Sequence, residues 1–216
     1  MKEIDIRKEI VRVCLEMERV GINQGTSGNV SHRFEDGMLI TPSGVPYDKM
    51  SYKDIVFVPF EDKSAYVGLY PPSSELDFHF DILKEKKDVN AVLHNHSTYA
   101  TAVAMCRLDI PPCHYMVAVT GGKKIPCAKY ATFGTKELSK NILDVLNRGY
   151  NSCLLANHGV ITTANSLKKA LWLAVEIESA AKQYIFASSL SQPIELDDKE
   201  MDKILKKFKN YGLKDS

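Results

Sequence analysis

The sequence predicts a three-layer α/β/α domain built on a mixed, mostly antiparallel β-sheet, and three observations carry that expectation. Short apolar runs alternate along the chain with segments whose apolar residues repeat at helical spacing. Asp36-Gly37, between VSHRF and MLIT, marks a hairpin, so the sheet cannot be all parallel. No repeat, low-complexity tract or linker divides the chain, which makes residues 1–216 one domain.

The elements follow in order. Ile6, Ile10, Val13, Cys14 and Met17 share a helical face, and Gly21 offers a stop. GTSGN (25–29) is too rich in glycine for a regular element; the hairpin follows, and DIVFVPF (54–60) is a strand. In PPSSELDFHFDILKEKKD (71–88) the prolines end an extended approach, Ser73 or Ser74 is the expected N-cap, and Leu76, Phe80 and Leu83 form the helix stripe. NAVLHNH (90–96) is a strand, STYATAVAMC (97–106) a helix and HYMVAV (114–119) a strand. TKELSKNILDVLNRG (135–149) is a helix with Leu138, Ile142, Val145 and Leu146 on one face. NSCLLANHGVITT (151–163) is a strand pair or one bent strand, and a long helix (166–190) and a charged amphipathic helix (197–212) finish the chain.

Hydrophobic residues at 44% and charged residues at 25% are ordinary for a soluble globular protein. A net charge of +1 gives no electrostatic basis for binding nucleic acid or an anionic membrane. MKEIDIRKEI has acids where a signal peptide needs an apolar core, and no apolar stretch is long enough to span a bilayer. The five cysteines include no Cys-x-x-Cys, which points away from a disulfide framework or thiolate zinc site; a cytoplasmic protein is expected.

Chemistry concentrates in three histidines and one carboxylate. Side chains alternate along a strand, so His94 and His96 share a face, their bases roughly 7 Å apart at about 3.3 Å of rise per residue. His158 follows the apolar run CLLA, and Glu75 follows two serines in the first turn of a helix. Three histidines and a carboxylate form a reasonable zinc set, with one ligand displaceable by substrate. Taken singly, His-x-His is more often two polar residues at a strand end, and His158 beside Gly159 more often a turn residue than a ligand. A cupin would place a glutamate shortly after the His-x-His, and an amidohydrolase barrel needs more chain.

Two glycine-rich stretches suit an anion: GTSGNVS offers backbone N–H groups and Asn29, and TPSG (41–44) offers Ser43 and the N–H of Gly44. Ser73 and Ser74 add hydroxyls at a helix start, where unpaired N–H groups favour phosphate. Each alone is an ordinary loop or cap, and none is a Walker or dinucleotide fingerprint.

GTSGN, TPSG, PSSE, HNH and NHG, in that order and at these intervals, resemble the class II aldolase/adducin family of short zinc-dependent sugar-phosphate lyases. Residues 110–139, KALWLAVEIE (169–178) and FKNYGL (208–213) extend the resemblance from about residue 5 to residue 213. The resemblance implies zinc on His94, His96 and His158, with Glu75 ligating the resting metal and acting as acid/base once substrate arrives. It implies that Gly28, Asn29, Ser43, Gly44, Ser73 and Ser74 hold the phosphate. Tyr115 from the neighbouring subunit would exchange a proton with the aldehyde oxygen, Tyr211 would help close the site, and the assembly would be a homotetramer with active sites at subunit interfaces. Without the resemblance, Tyr115 and Tyr211 would read as strand and helix-end aromatics. Ser27 and Ser43 stand where alanine and threonine are familiar, Asn157 where histidine is common, and the loop 64–71 is slightly longer; none of these removes a ligand.

The implied reaction is reversible cleavage of a ketose 1-phosphate to dihydroxyacetone phosphate and an aldehyde. No lysine is placed for a Schiff base, so the enediolate charge needs a metal. Zinc lowers the pKa of bound water from about 15.7 to about 7, or roughly 12 kcal/mol, which bounds what it offers such a charge. Neutral histidines preserve the ion's positive charge. An L-ribulose-5-phosphate 4-epimerase shares fold, metal and retro-aldol step and is the nearest rival. An adducin-like interaction module would not need the four ligands, and structural zinc prefers cysteine.

Overall fold

One seven-stranded sheet organises the described residues, 2–208, of the computed structural model. β1 (Asn29–Phe34) and β2 (Gly37–Ile40) form the hairpin, with β3 (Val56–Pro59) at the edge beside β2. β4 (Ala91–Asn95) pairs with the other side of β1, and β7 (Gly159–Ala164), β6 (Ser152–Leu155) and β5 (Cys127–Ala128) follow. Every pairing is antiparallel except β5 with β6, so the mixed, mostly antiparallel sheet expected from the sequence is present.

Period-two alternation divides the core between the two faces. Met38, Ile40, Val56, Val58, Val92 and Ile161 pack under α2 (Leu76–Glu85) and α4 (Lys136–Leu146). Val30, Leu39, Ala91 and Leu93 pack under α1 (Glu3–Arg19) and the first half of α5 (Leu167–Leu190). Leu154 and Val160 continue that second face beneath α3 (Thr98–Met105), the rest of α5 and α6 (Asp198–Phe208). His94 has the parity of Val92 and so faces the α2 side, while Asn95 faces the other.

Three local expectations are corrected. Phe34 pairs with Gly37, so the hairpin turn is Glu35-Asp36, one residue earlier than the Asp36-Gly37 signal. Gly37 opens β2 because a Cβ there would lie 2.5 Å from the Val58 carbonyl oxygen; Glu35 takes the positive φ of 48°. Neither serine caps α2: Glu75 is the N-cap residue, and the Ser73 hydroxyl accepts from the Glu75 N–H at 3.3 Å. Residues 115–120 form a 3-10 helix instead of a strand, started by His114 Nδ1 accepting from the Met116 N–H and ended by Gly121 at φ 83°. Val117, Ala118, Val119 and Thr120 are buried in succession, a pattern that a one-sided strand does not produce.

Candidate metal centre

The end of β4 lies between β1 and β7, with His94 opposite Asn29 on one side and Ile161 on the other. That register fixes the His94 ring, whose Nδ1 lies 2.8 Å from the Val160 carbonyl oxygen. A carbonyl only accepts, so Nδ1 carries the proton and Nε2 presents a lone pair. His96 stands one residue beyond the strand. The exit of the chain there is pinned: Ser97 N–H donates to Asn95 Oδ1, and the Glu178 carboxylate of α5 accepts from the N–H groups of Tyr99 and Ala100. The β6–β7 turn delivers His158, with Asn157 at φ 55° turning the chain.

Glu75 closes the set. Its Oε2 lies 3.1 Å from His94 Nε2, its Oε1 lies 3.1 Å from His158 Nε2, and His94 Nε2 lies 2.9 Å from His96 Nε2. One ligand atom from each of the four residues falls within 4.8 Å of all the others. Tetrahedral coordination at about 2.0–2.1 Å places ligand atoms about 3.3 Å apart, close to the separations of Glu75 from His94 and His158 and of His94 from His96. The donor chemistry fits a cation as well. Glu75 Oε1 is buried without a hydrogen bond, and acceptor atoms converge where only positive charge would relieve them. Burial opposes the charge of Glu75, yet the charged forms of the His94 and His158 rings hold its carboxyl well below the usual range. Burial, together with the His94 and His158 rings, pushes His96 down to about 4, so it is neutral and a competent ligand at pH 7.

Two glycines allow close approach at this centre. A Cβ on Gly159 would stand 2.5 Å from the Asn95 carbonyl oxygen, 2.8 Å from His96 Cδ2 and 3.2 Å from His94 Cε1. A Cβ on Gly28 would meet Asn23 Oδ1 at 2.6 Å and the His94 carbonyl oxygen at 2.9 Å.

A cavity of about 330 Å³ opens over the centre, lined by Glu75, His96 and His158 and by all of Gly28, Asn29, Ser43, Gly44, Ser73 and Ser74. The TPSG and PSSE loops are joined at its rim, where Ser43 N–H donates to the Pro71 carbonyl and Ser73 N–H to the Thr41 carbonyl. Tyr130, Phe133 and Asn157 also line it. The Asn157 side chain is held by Arg107 Nε on its oxygen at 2.8 Å and the Met105 carbonyl on its nitrogen at 3.2 Å. Tyr115 does not line this cavity; it is half-exposed on the 3-10 helix, beside Phe208 in a second cavity shared with Leu196 and Ile204. Tyr211 lies outside the described residues.

The sequence pattern did not single out His79. It is fully buried on α2 and joins the site through Asn29: His79 Nε2 lies 2.6 Å from Asn29 Oδ1, and Asn29 Nδ2 donates to Glu75 Oε2 at 2.9 Å. Within LDFHFDILKE a histidine beside two phenylalanines reads as core, and only the fold brings it to Asn29.

Residues 8–185 match the family model for the class II aldolase and adducin N-terminal domain. The chain belongs to the class II aldolase family. It is 46% identical over 216 residues to L-fuculose phosphate aldolase of Escherichia coli, with 99% of each chain covered. It is 44% identical over 209 residues to 5-methylthioribulose-1-phosphate/5-deoxyribulose-1-phosphate aldolase of Rhodospirillum rubrum, covering 97% of this chain and 93% of that one. A solved structure of L-fuculose 1-phosphate aldolase superposes with a TM-score of 0.90 at 36% identity, covering 95% of this class II aldolase and 96% of that chain. The chain is a class II aldolase-type lyase, and its histidine–glutamate group is placed to bind the divalent metal that such enzymes require.

Proposed function

We propose that this class II aldolase reversibly cleaves L-fuculose 1-phosphate, or a close ketose 1-phosphate, to dihydroxyacetone phosphate and L-lactaldehyde. The observation that carries the reading is the convergence of Glu75, His94, His96 and His158 at the floor of a cavity whose rim carries all six residues expected to hold phosphate. Similarity to the Escherichia coli enzyme over 99% of the chain supports the choice of sugar.

Zinc is the proposed ion, held by His94, His96, His158 and, in the resting state, Glu75. When bound it supplies Lewis-acid stabilisation of negative charge on substrate oxygens. The rim loops hold the phosphate through the N–H groups of Gly28 and Gly44 and the hydroxyls of Ser43, Ser73 and Ser74, with Asn29 beside them, and so fix the reacting carbons. Glu75, released by the arriving substrate, carries the proton to and from the carbon that becomes the hydroxymethyl carbon of dihydroxyacetone phosphate. Tyr115 of an adjacent copy holds the proton at the oxygen of the departing aldehyde, and Tyr211 helps close the site. The half-exposed Tyr115, away from its own chain's cavity, supports a homotetramer with active sites at subunit interfaces. We further read residues 1–216 as one domain of a cytoplasmic enzyme with no nucleic-acid or membrane partner. No helix among the described residues is long and apolar enough to cross a membrane.

The 44% identity to the methylthioribulose-phosphate aldolase favours one second reading, in which the same three-carbon half is bound and the aldehyde carries a longer apolar substituent. Exchange of the hydroxymethyl proton of dihydroxyacetone phosphate in deuterated water tests what both readings share. Exchange that depends on zinc and stops with a chelator supports the aldolase step; none from zinc-loaded protein overturns it and makes the 4-epimerase the next assay. L-lactaldehyde and methylthio-substituted aldehydes then decide the sugar.

A further inference from the structure

A fully buried histidine with two directed partners has a fixed tautomer, and at His79 the partners decide which. Ser31 Oγ lies 2.7 Å from Nδ1 and Asn29 Oδ1 lies 2.6 Å from Nε2. On the far side of the amide, Asn29 Nδ2 lies 2.9 Å from Glu75 Oε2. An ionised carboxylate only accepts, so the Asn29 atom facing Glu75 must be the NH2 group. Its carbonyl therefore faces His79, Nε2 must carry the ring proton, and Nδ1 is left as an acceptor for the Ser31 hydroxyl. Every hydrogen in the chain Ser31–His79–Asn29–Glu75 points toward Glu75, an alignment in which each bond polarises the next.

We propose that His79 is a positioning residue that locks the Asn29 amide with its NH2 group toward the metal centre. The consequence for catalysis rests on the aldolase reading. Once Glu75 swings away, Asn29 is still held from behind by His79 and Ser31 and cannot turn its carbonyl inward. A hydrogen-bond donor therefore waits for the substrate oxygen that replaces the carboxylate. Without His79 the amide is free to flip and to set its oxygen against Glu75.

The alternative is that His79 only fills the core, where it stacks on Phe78 at 4.8 Å between ring centroids. Two variants separate the roles. His79→Phe keeps the flat buried ring and removes both hydrogen bonds; His79→Gln keeps a donor within reach of Asn29. The expected result is a fall of about 10–100-fold in zinc affinity or proton-exchange kcat for His79→Phe, largely restored in His79→Gln. Long-range proton–nitrogen NMR correlation on the wild-type protein should show Nε2 protonated and Nδ1 bare, before and after zinc loading.

A ring protonated at Nδ1, or a Phe variant whose zinc affinity and exchange both match wild type, overturns the proposal. Should the Phe variant not fold, the wild-type spectrum decides: a bare Nε2 overturns it. Zinc affinity and tautomer are read without turnover. A wild type that never exchanges but shows both would sink the aldolase reading and leave the positioning role standing.

Discussion

His94 Nε2 lies 3.1 Å from Glu75 Oε2, and because His94 gives its proton to the Val160 carbonyl, neither atom has one to offer the other. Two acceptors held this close in a buried site are relieved by a cation. Zinc bound at about one ion per chain should therefore be lost on chelation together with all proton exchange, and His94→Ala should fail to retain zinc through dialysis. An active, metal-free His94→Ala variant would refute the centre.

Glu75 has two proposed duties that separate by substitution. His94, His96 and His158 remain in Glu75→Gln, so zinc stays bound, more weakly. A general base contributes about 10²–10⁴-fold, and exchange at the hydroxymethyl carbon should fall by that amount. Zinc content and exchange rate, measured on the same sample, check both halves; a variant that keeps zinc and exchanges at the wild-type rate removes Glu75 from proton transfer.

Gly159 has an ordinary negative φ, so its requirement is space alone. In Gly159→Ala the new methyl group would press on the Asn95 carbonyl and on the rings of His94 and His96. Overpacking of this kind costs about 1–3 kcal/mol, and here the strain falls on two ligands. The variant should lose stability by that amount in urea unfolding and bind zinc more weakly. Stability lost with zinc affinity intact would mean that the loop yields instead of the rings.

How legible all this was depends on distance along the chain. The strand parity of His94 and His96 is local, and the structure places both rings beside the same centre. The layers of the fold were legible because helix and strand periods differ clearly in segments such as 136–146 and 152–164. The 3-10 helix was not, since YMVAVT has strand-forming residues and its helical turn depends on His114 and Gly121 on either side. The turn residue was misplaced because Gly37 serves a neighbour, β3, that the hairpin's own sequence does not reveal. His79 was invisible for the same reason: Ser31 and Asn29 reach it from β1, and only through Asn29 does it join Glu75.

Acid should unfold the metal-free protein through this same cluster. Burial, aided by the His94 ring, pushes His79 down to about 3, and His96 sits at about 4, against an ordinary 6.5 for each. Across that window the unfolded chain binds protons that the folded chain refuses, so stability falls as pH drops below about 6.5. Fully buried His79 contributes a slope of up to about 1.4 kcal/mol per pH unit. Glu75, held low when folded, adds stability above 4.5 that is lost below it, in the same direction. Urea midpoints of the chelated protein should decline steadily from pH 7 to pH 4.5; a flat profile would show that His79 is protonated in the folded state.

The phosphate rim separates binding from chemistry. Ser43 and Ser74 are exposed at the mouth of the cavity, and neither hydroxyl is committed to the fold by a hydrogen bond among the described residues, whereas Ser73 supports the backbone of Glu75. Replacing Ser43 or Ser74 by alanine should therefore leave zinc content and folding unchanged. A hydrogen bond to a charged group is worth about 1.5–3 kcal/mol, so kcat/KM for the ketose 1-phosphate should fall at least about tenfold for each serine that touches phosphate. Unphosphorylated dihydroxyacetone has nothing for these hydroxyls to hold. Its slow zinc-dependent exchange should be the same in wild type and variant. Equal losses on both compounds would place the two serines at the reacting carbons, and no loss on either would move the phosphate elsewhere in the cavity.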